Sequence, residues 1–144
     1  MKYIKKITPQ EMNDALKRYF DVATKEDFWE VKGFYARPGD LCYASIDDNC
    51  YYCLEASDSL FVYWAMEQGR MSNIRGLFEV FYQLICEGYP FIRINGRKGR
   101  YPRILKAFNY FQYVEPKYHV LENEEIVWYA GHPENVEKIK RRFE

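Results

Sequence analysis

Four places in the chain hold residues whose types and spacing suit chemistry. The first is "NCYYC", where Cys50 and Cys53 form a C-x-x-C, with Cys42 and Cys86 elsewhere. A redox pair of this spacing usually opens a helix, where the dipole lowers a thiol pKa. Here a turn precedes it and strand residues follow, and strand residues three apart face opposite ways. Zinc would need two further ligands. Only His119 and His132 are on offer, thirteen residues apart. The cysteines therefore read as reduced, half-buried structural thiols, with no metal. The two histidines are the second place. Neither stands beside a nucleophile, and no Ser or Cys sits in a glycine elbow, which disfavours a hydrolase.

The third place is "RINGRKGRYPRILK", which gathers Arg93, Arg97, Lys98, Arg100, Arg103 and Lys106 around Tyr101. Such a cluster can track phosphates with an aromatic ring for stacking. It can equally meet an acidic protein partner or simply be solvated surface. No helix-turn-helix, zinc-finger or RNA-binding aromatic signature accompanies it. The fourth is "EQGRMSNIRGLFEVF", from Glu67 to Phe81. A strand ends, a short loop with Gly69 follows, and a helical pattern begins. A strand-loop-helix junction of this kind is a common phosphate cradle, because helix N-terminal N–H groups and the dipole favour an anion.

Elements of regular structure must hold these groups. With 144 residues, the simplest reading is one domain over 1–144. Hydrophobic content of 48% and charged content of 29% exclude a disordered chain. Lys plus Arg equals Asp plus Glu at 21 each, so no global attraction to nucleic acid or to an anionic membrane is indicated. No apolar run is long enough to span a bilayer and "MKYIKKITPQE" is not a signal peptide, so a cytoplasmic protein is expected. The 14 tyrosines point to a Tyr-rich core and sheet face, and leave self-association into a homo-oligomer open.

A strand is expected over "KYIKKI". A helix then opens on Thr8, Pro9 and Glu11, with Met12, Ala15, Leu16, Tyr19 and Phe20 on one face. Thr24 to Asp40 reads as a second helix or an ordered loop, ending in the turn "RPGD". Leu41 to Asp47 and Cys50 to Ala56 read as a hairpin around Asp48-Asn49. Leu60 to Gln68 is an apolar strand, and Ile74, Leu77, Phe78, Phe81, Leu84 and Ile85 mark an amphipathic helix stopped by Gly88. Tyr89 to Ile94 is a strand, "RILKAFNYF" a helix, "YVEPKYHVL" and "EIVWYAGH" a hairpin, and "PENVEKIKRRFE" a final short helix.

This order resembles the GNAT superfamily of N-acetyltransferases, from Lys2 to about His132. The resemblance is carried by "AMEQGRMSNIRGLFEVF", where such proteins bind the acetyl-CoA pyrophosphate, and by "RILKAFNYFQYV", which looks like the family's last helix. It implies an α/β domain with a GNAT-like mixed, mostly antiparallel sheet flanked by helices. The family's phosphate motif is Gln/Arg-x-x-Gly-x-Gly/Ala. Arg70 keeps its first position, while Asn73 and Arg75 replace the two small residues. The cofactor-binding stretch implied by the resemblance is Met66, Arg70, Met71, Ser72, Asn73, Ile74 and Arg75. Acetyl-CoA would lie between "FVYWAMEQ" and "PFIRIN", with backbone N–H groups near Met66 as oxyanion donors.

The tyrosine that often serves this family as general acid falls at Lys106 here. Tyr101 and Tyr110 are out of register, and Glu67 is open as a base or as a solvated strand-end residue. Two functions follow. One is a divergent N-acetyltransferase with an unknown amine substrate. The other is a catalytically inactive GNAT-like binding or structural protein of bacteriophage type, using its basic loop on a protein partner.

Overall fold

A computed structural model describes residues 1–22, 35–65, 74–95, 118–120 and 125–144. Strand β1 (Ile4–Ile7) runs into helix α1 (Pro9–Val22) through the expected capping box. Glu11 N donates to Thr8 Oγ1 and Thr8 N to Glu11 Oε1, both at 3.1 Å. Met12, Ala15 and Leu16 are buried, as their spacing requires. Asn13 is buried beside them, and its amide both donates to Ala36 O (3.0 Å) and accepts from Ala36 N (2.9 Å). Ala36 is therefore fixed against α1. The expected second helix or loop after Thr24 lies largely outside the described residues, but its closing turn does not. Asp40 N donates to Arg37 O at 3.0 Å.

Strands β2 (Leu41–Ser45) and β3 (Cys50–Leu54) pair antiparallel, with Cys42 opposite Cys53 and Tyr43 opposite Tyr52. Their connection is longer than the two-residue turn expected at Asp48-Asn49. Ser45 explains the difference. Its hydroxyl donates to Asp47 Oδ1 (2.6 Å) and accepts from Asn49 N and Cys50 N. Residues 46–49 thus form a side-chain-stabilised loop, with Asp48 in the left-handed region at φ 58°. The Ser45 hydroxyl and the Asn49 N–H hold the Asp47 carboxyl below its usual range.

Strand β4 (Leu60–Ala65) pairs antiparallel with β3, and helix α2 (Ile74–Cys86) crosses to β5 (Phe91–Asn95), which lies parallel to β4. Gly88 ends α2 as expected. At φ 98° its N–H reaches Ile85 O, and Tyr89 N reaches Leu84 O, the paired bonds of a Schellman stop. Strands β6 (Tyr118–Val120) and β7 (Glu125–Tyr129) form the expected hairpin, with β7 antiparallel to β5. Among the described residues the result is a seven-stranded, mostly antiparallel sheet in the order β1-β2-β3-β4-β5-β7-β6, and the fold is α/β.

Alternation along the strands divides the core in two. Ile4, Tyr43, Cys50, Tyr52, Leu54, Phe61, Tyr63 and Ile92 meet α2 on one side. Ile7, Cys42, Ala44, Tyr51 and Cys53 meet α1 on the other. Cys50 and Cys53 thus face opposite ways, as three-residue spacing in a strand demands. All three strand cysteines are fully buried rather than half-buried, while Cys86 is exposed. Among the described tyrosines, Tyr43, Tyr51, Tyr52 and Tyr63 are buried, while Tyr35 is exposed.

The polar tail forms an eleven-residue helix, α3 (Pro133–Phe143). His132 caps it, its Nδ1 accepting from Glu134 N at 3.2 Å. Ile139 enters the α2 core, Phe143 packs on Tyr82 (5.5 Å between centroids), and Arg142 lies over Phe78 (5.9 Å). Just before α3, Gly131 donates to Pro90 O at 3.0 Å, and a Cβ there would stand 2.5 Å from Pro90 Cβ. We expect Gly131→Ala to cost about 1–3 kcal/mol through this overlap. A urea midpoint unchanged from the parent would show that Pro90 yields without cost.

Candidate functional site

Helix α2 follows the junction that sequence singled out, and its first turn is the described part of it. Ile74 opens the helix and Arg75 follows, exposed. Met66, Arg70, Met71, Ser72 and Asn73 lie outside the described residues, as do Glu67, Arg97, Lys98, Arg100, Tyr101, Arg103, Lys106 and Tyr110.

Arg75 is held by Tyr3. Its Nη1 donates to the Tyr3 hydroxyl at 3.1 Å, and its guanidinium lies over the Tyr3 ring, 5.8 Å from the centroid. Tyr3 immediately precedes β1, so the cation is drawn toward that edge of the sheet, three strands away from β4. No acidic residue stands in this first turn. A cation there has the wrong sign for the helix dipole, and an anion would offset it.

One turn further along α2, Glu79 fixes the same N-terminal segment. It is only 2% exposed. Its Oε1 accepts from the backbone N–H groups of Lys2 (2.9 Å), Tyr3 (3.1 Å) and Ile4 (3.2 Å), and its Oε2 accepts from Lys2 N (3.1 Å). Glu79 therefore sets where Tyr3 stands, and Tyr3 in turn sets where Arg75 points. Beside this contact Met1, Lys2, Tyr82, Gln83 and Phe143 line an open cavity of about 520 Å³.

Strands β4 and β5 make the parallel pair of the sheet. Among the described residues their parallel pairing covers Leu60 with Arg93 and Phe61 with Ile94, whereas β3 follows β4 as far as Ala65. The two parallel strands are thus joined at the start of β4, and the chain leaves the far end of β4 toward α2. Ligands of open sheets gather outside the C-terminal ends of parallel strands.

At the opposite end of β4, Arg93, the described member of the basic run, is ion-paired. Its Nη2 meets Asp58 Oδ2 at 2.9 Å, and its N–H donates to Ser59 O. Glu55 lies close by, and burial followed by the Asp58 and Asp40 charges raises its carboxyl above the usual range. The Tyr3 and Glu79 roles were invisible in the sequence, since each contact spans more than seventy residues. His119 lies in β6, and His132 caps α3 through its Nδ1.

No helix among the described residues is long and apolar enough to cross a membrane. Compared with known proteins, the chain matches no family model, and a search of curated proteins finds no significant match.

Proposed function

We propose that the chain is a divergent GNAT-like domain that binds acetyl-CoA at the C-terminal end of β4 and transfers its acetyl group to an amine. The observation that carries this reading is the sheet order β1-β2-β3-β4-β5-β7-β6, with one parallel pair and α2 as its crossover. That arrangement sets β4 between its antiparallel neighbour β3 and its parallel neighbour β5, with α2 following β4 in the chain. In this reading the pyrophosphate lies over Arg70 to Arg75 and the acetyl group lies near Met66. The amine attacks the thioester carbonyl directly, backbone N–H groups steady the oxyanion, and the CoA thiolate leaves. The Tyr3 hydroxyl and ring hold the Arg75 side chain at the start of α2.

Acetyl-CoA should raise thermal stability, by about 2.7 kcal/mol at 100 times Kd. Loss of that shift in Arg75→Glu, with the fold retained, would assign the guanidinium to the phosphates. No shift in the parent protein at millimolar acetyl-CoA would sink the reading.

A second reading is a GNAT-like binding or structural protein without catalysis. It is favoured by one observation, the Arg75–Tyr3 contact at a helix start that lacks the family's small residues. Salt-sensitive capture of an acidic partner, lost when Arg97, Lys98 and Arg100 become alanine, would support it.

A further inference from the structure

We propose that Cys42 and Cys53 close to a disulfide when the protein meets a hydroperoxide, making the β2–β3 hairpin an oxidant-responsive staple. The two residues are direct cross-strand partners, so their side chains leave the sheet on the same face. Both thiols lie in the core under α1, with Sγ atoms 3.8 Å apart. A disulfide needs Cα atoms about 4.4–6.8 Å apart, and directly opposed antiparallel residues lie at about 4.5–5.5 Å. The backbone is already in range, and side-chain rotation supplies the remaining approach of the sulfurs.

No other thiol competes. Cys50 faces the α2 core across the sheet, and Cys86 is exposed on α2. Position also selects the oxidant. Both sulfurs are fully buried, which shuts out bulky disulfides such as oxidised glutathione and admits only a small molecule. Contact with the Cys42 thiol, and then burial, push the Cys53 thiol well above its usual pKa. The pair is therefore a slow reactant, since the thiolate is the nucleophile.

The step balances with the peroxide as oxidant. One thiol sulfur attacks the O–O bond, becomes a sulfenic acid, and releases an alcohol, or water from hydrogen peroxide itself. The second thiol displaces the hydroxyl from that sulfur, the S–S bond forms, and water leaves with the second thiol's proton. Two thiols are oxidised by two electrons, and one peroxide is reduced. The closed loop spans residues 42–53 and ties together the two strands on which α1 rests.

Hydrogen peroxide on the folded full-length chain, followed by denaturing alkylation and mass spectrometry, tests this. Two of the four thiols should disappear with loss of two hydrogens, and dithiothreitol should restore them. Cleavage before Asp47 and Asp48 should leave the Cys42 and Cys53 peptides linked. The rate should rise with peroxide and be independent of protein concentration. Cys42→Ser should abolish the link. The Cys50→Ala, Cys86→Ala double variant should keep it, and decides the matter even if Cys42→Ser fails to fold. Full alkylation of Cys42 and Cys53 after peroxide, or a link to Cys50 in place of Cys53, would overturn the proposal.

Discussion

Glu79→Leu should lower unfolding free energy by about 3 kcal/mol, because buried donors left without an acceptor cost about 1–3 kcal/mol each and nearby solvent recovers part of that. The donors are the N–H groups of Lys2, Tyr3 and Ile4, all of which end on this one carboxylate. Leucine keeps the volume and the helix but offers no oxygen. Glu79→Gln keeps one acceptor oxygen without the charge, so it should retain about half the loss, since bonds to a charged acceptor are worth roughly twice neutral ones. Urea denaturation of the three proteins gives the order parent, Gln, Leu. Equal stability of the Leu variant and the parent would mean that water serves these amides as well as the carboxylate does. The same substitution should loosen Tyr3 and with it Arg75, which makes Glu79→Gln a useful background for acetyl-CoA titration.

Alkali should unfold the protein earlier than its composition suggests. Burial, and after it the Glu87 charge, push the Tyr43 hydroxyl up to about 12. Burial raises Tyr52 further still. Tyrosine in an unfolded chain titrates near 10. Both groups have a folded pKa above the unfolded one, so their contribution is complete below about pH 10 and falls as pH rises beyond it. Each hydroxyl that stays neutral in the fold lowers stability by about 1.4 kcal/mol per pH unit in that window. Tyr43 stops contributing to the slope near pH 12, and Tyr52 continues past it. A combined fall of a few kcal/mol rivals the net stability of a domain, about 5–15 kcal/mol. Denaturation midpoints at about pH 9 and about pH 11 measure it, with tyrosinate absorbance as the second signal. A Tyr43→Phe, Tyr52→Phe protein should show a shallower fall, and an identical pH profile would refute the assignment.

Local signals in the sequence sufficed for much of the fold. Thr8 and Glu11 are three residues apart and cap their helix through contacts only they make, so the pattern names the structure. Leu77, Phe78, Phe81 and Leu84 define α2 by spacing, and Gly88 ends it by φ. Asp48-Asn49 misled because the deciding group, the Ser45 hydroxyl, sits at the strand end and favours a wider loop. The C-terminal helix showed few apolar residues, yet Ile139 and Phe143, one turn apart, suffice to dock it.

The candidate site was less legible. Arg75 stood out as a departure from a phosphate motif, but what holds it does not. Tyr3 lies seventy-two positions earlier, and Glu79 looks like an ordinary helical acid among apolar neighbours. Contacts at that range depend on how strands and helices stack, which no local period records. Arg93 shows the same from the other side, since the Asp58 that pairs with it sits in the turn before β4, thirty-five residues earlier.

The open sheet has one further consequence, which concerns its rims. Outer strands offer a backbone template on which another chain can grow. Here β1 is four residues long and β6 three. On β1, Lys5 reaches Asp48 at 2.8 Å and Lys6 reaches Glu87 at 3.4 Å, both pairs about half exposed. A newcomer pairing along β1 would have to accommodate two adjacent charges within four residues. Strand-on-strand pairing is thereby discouraged at that rim.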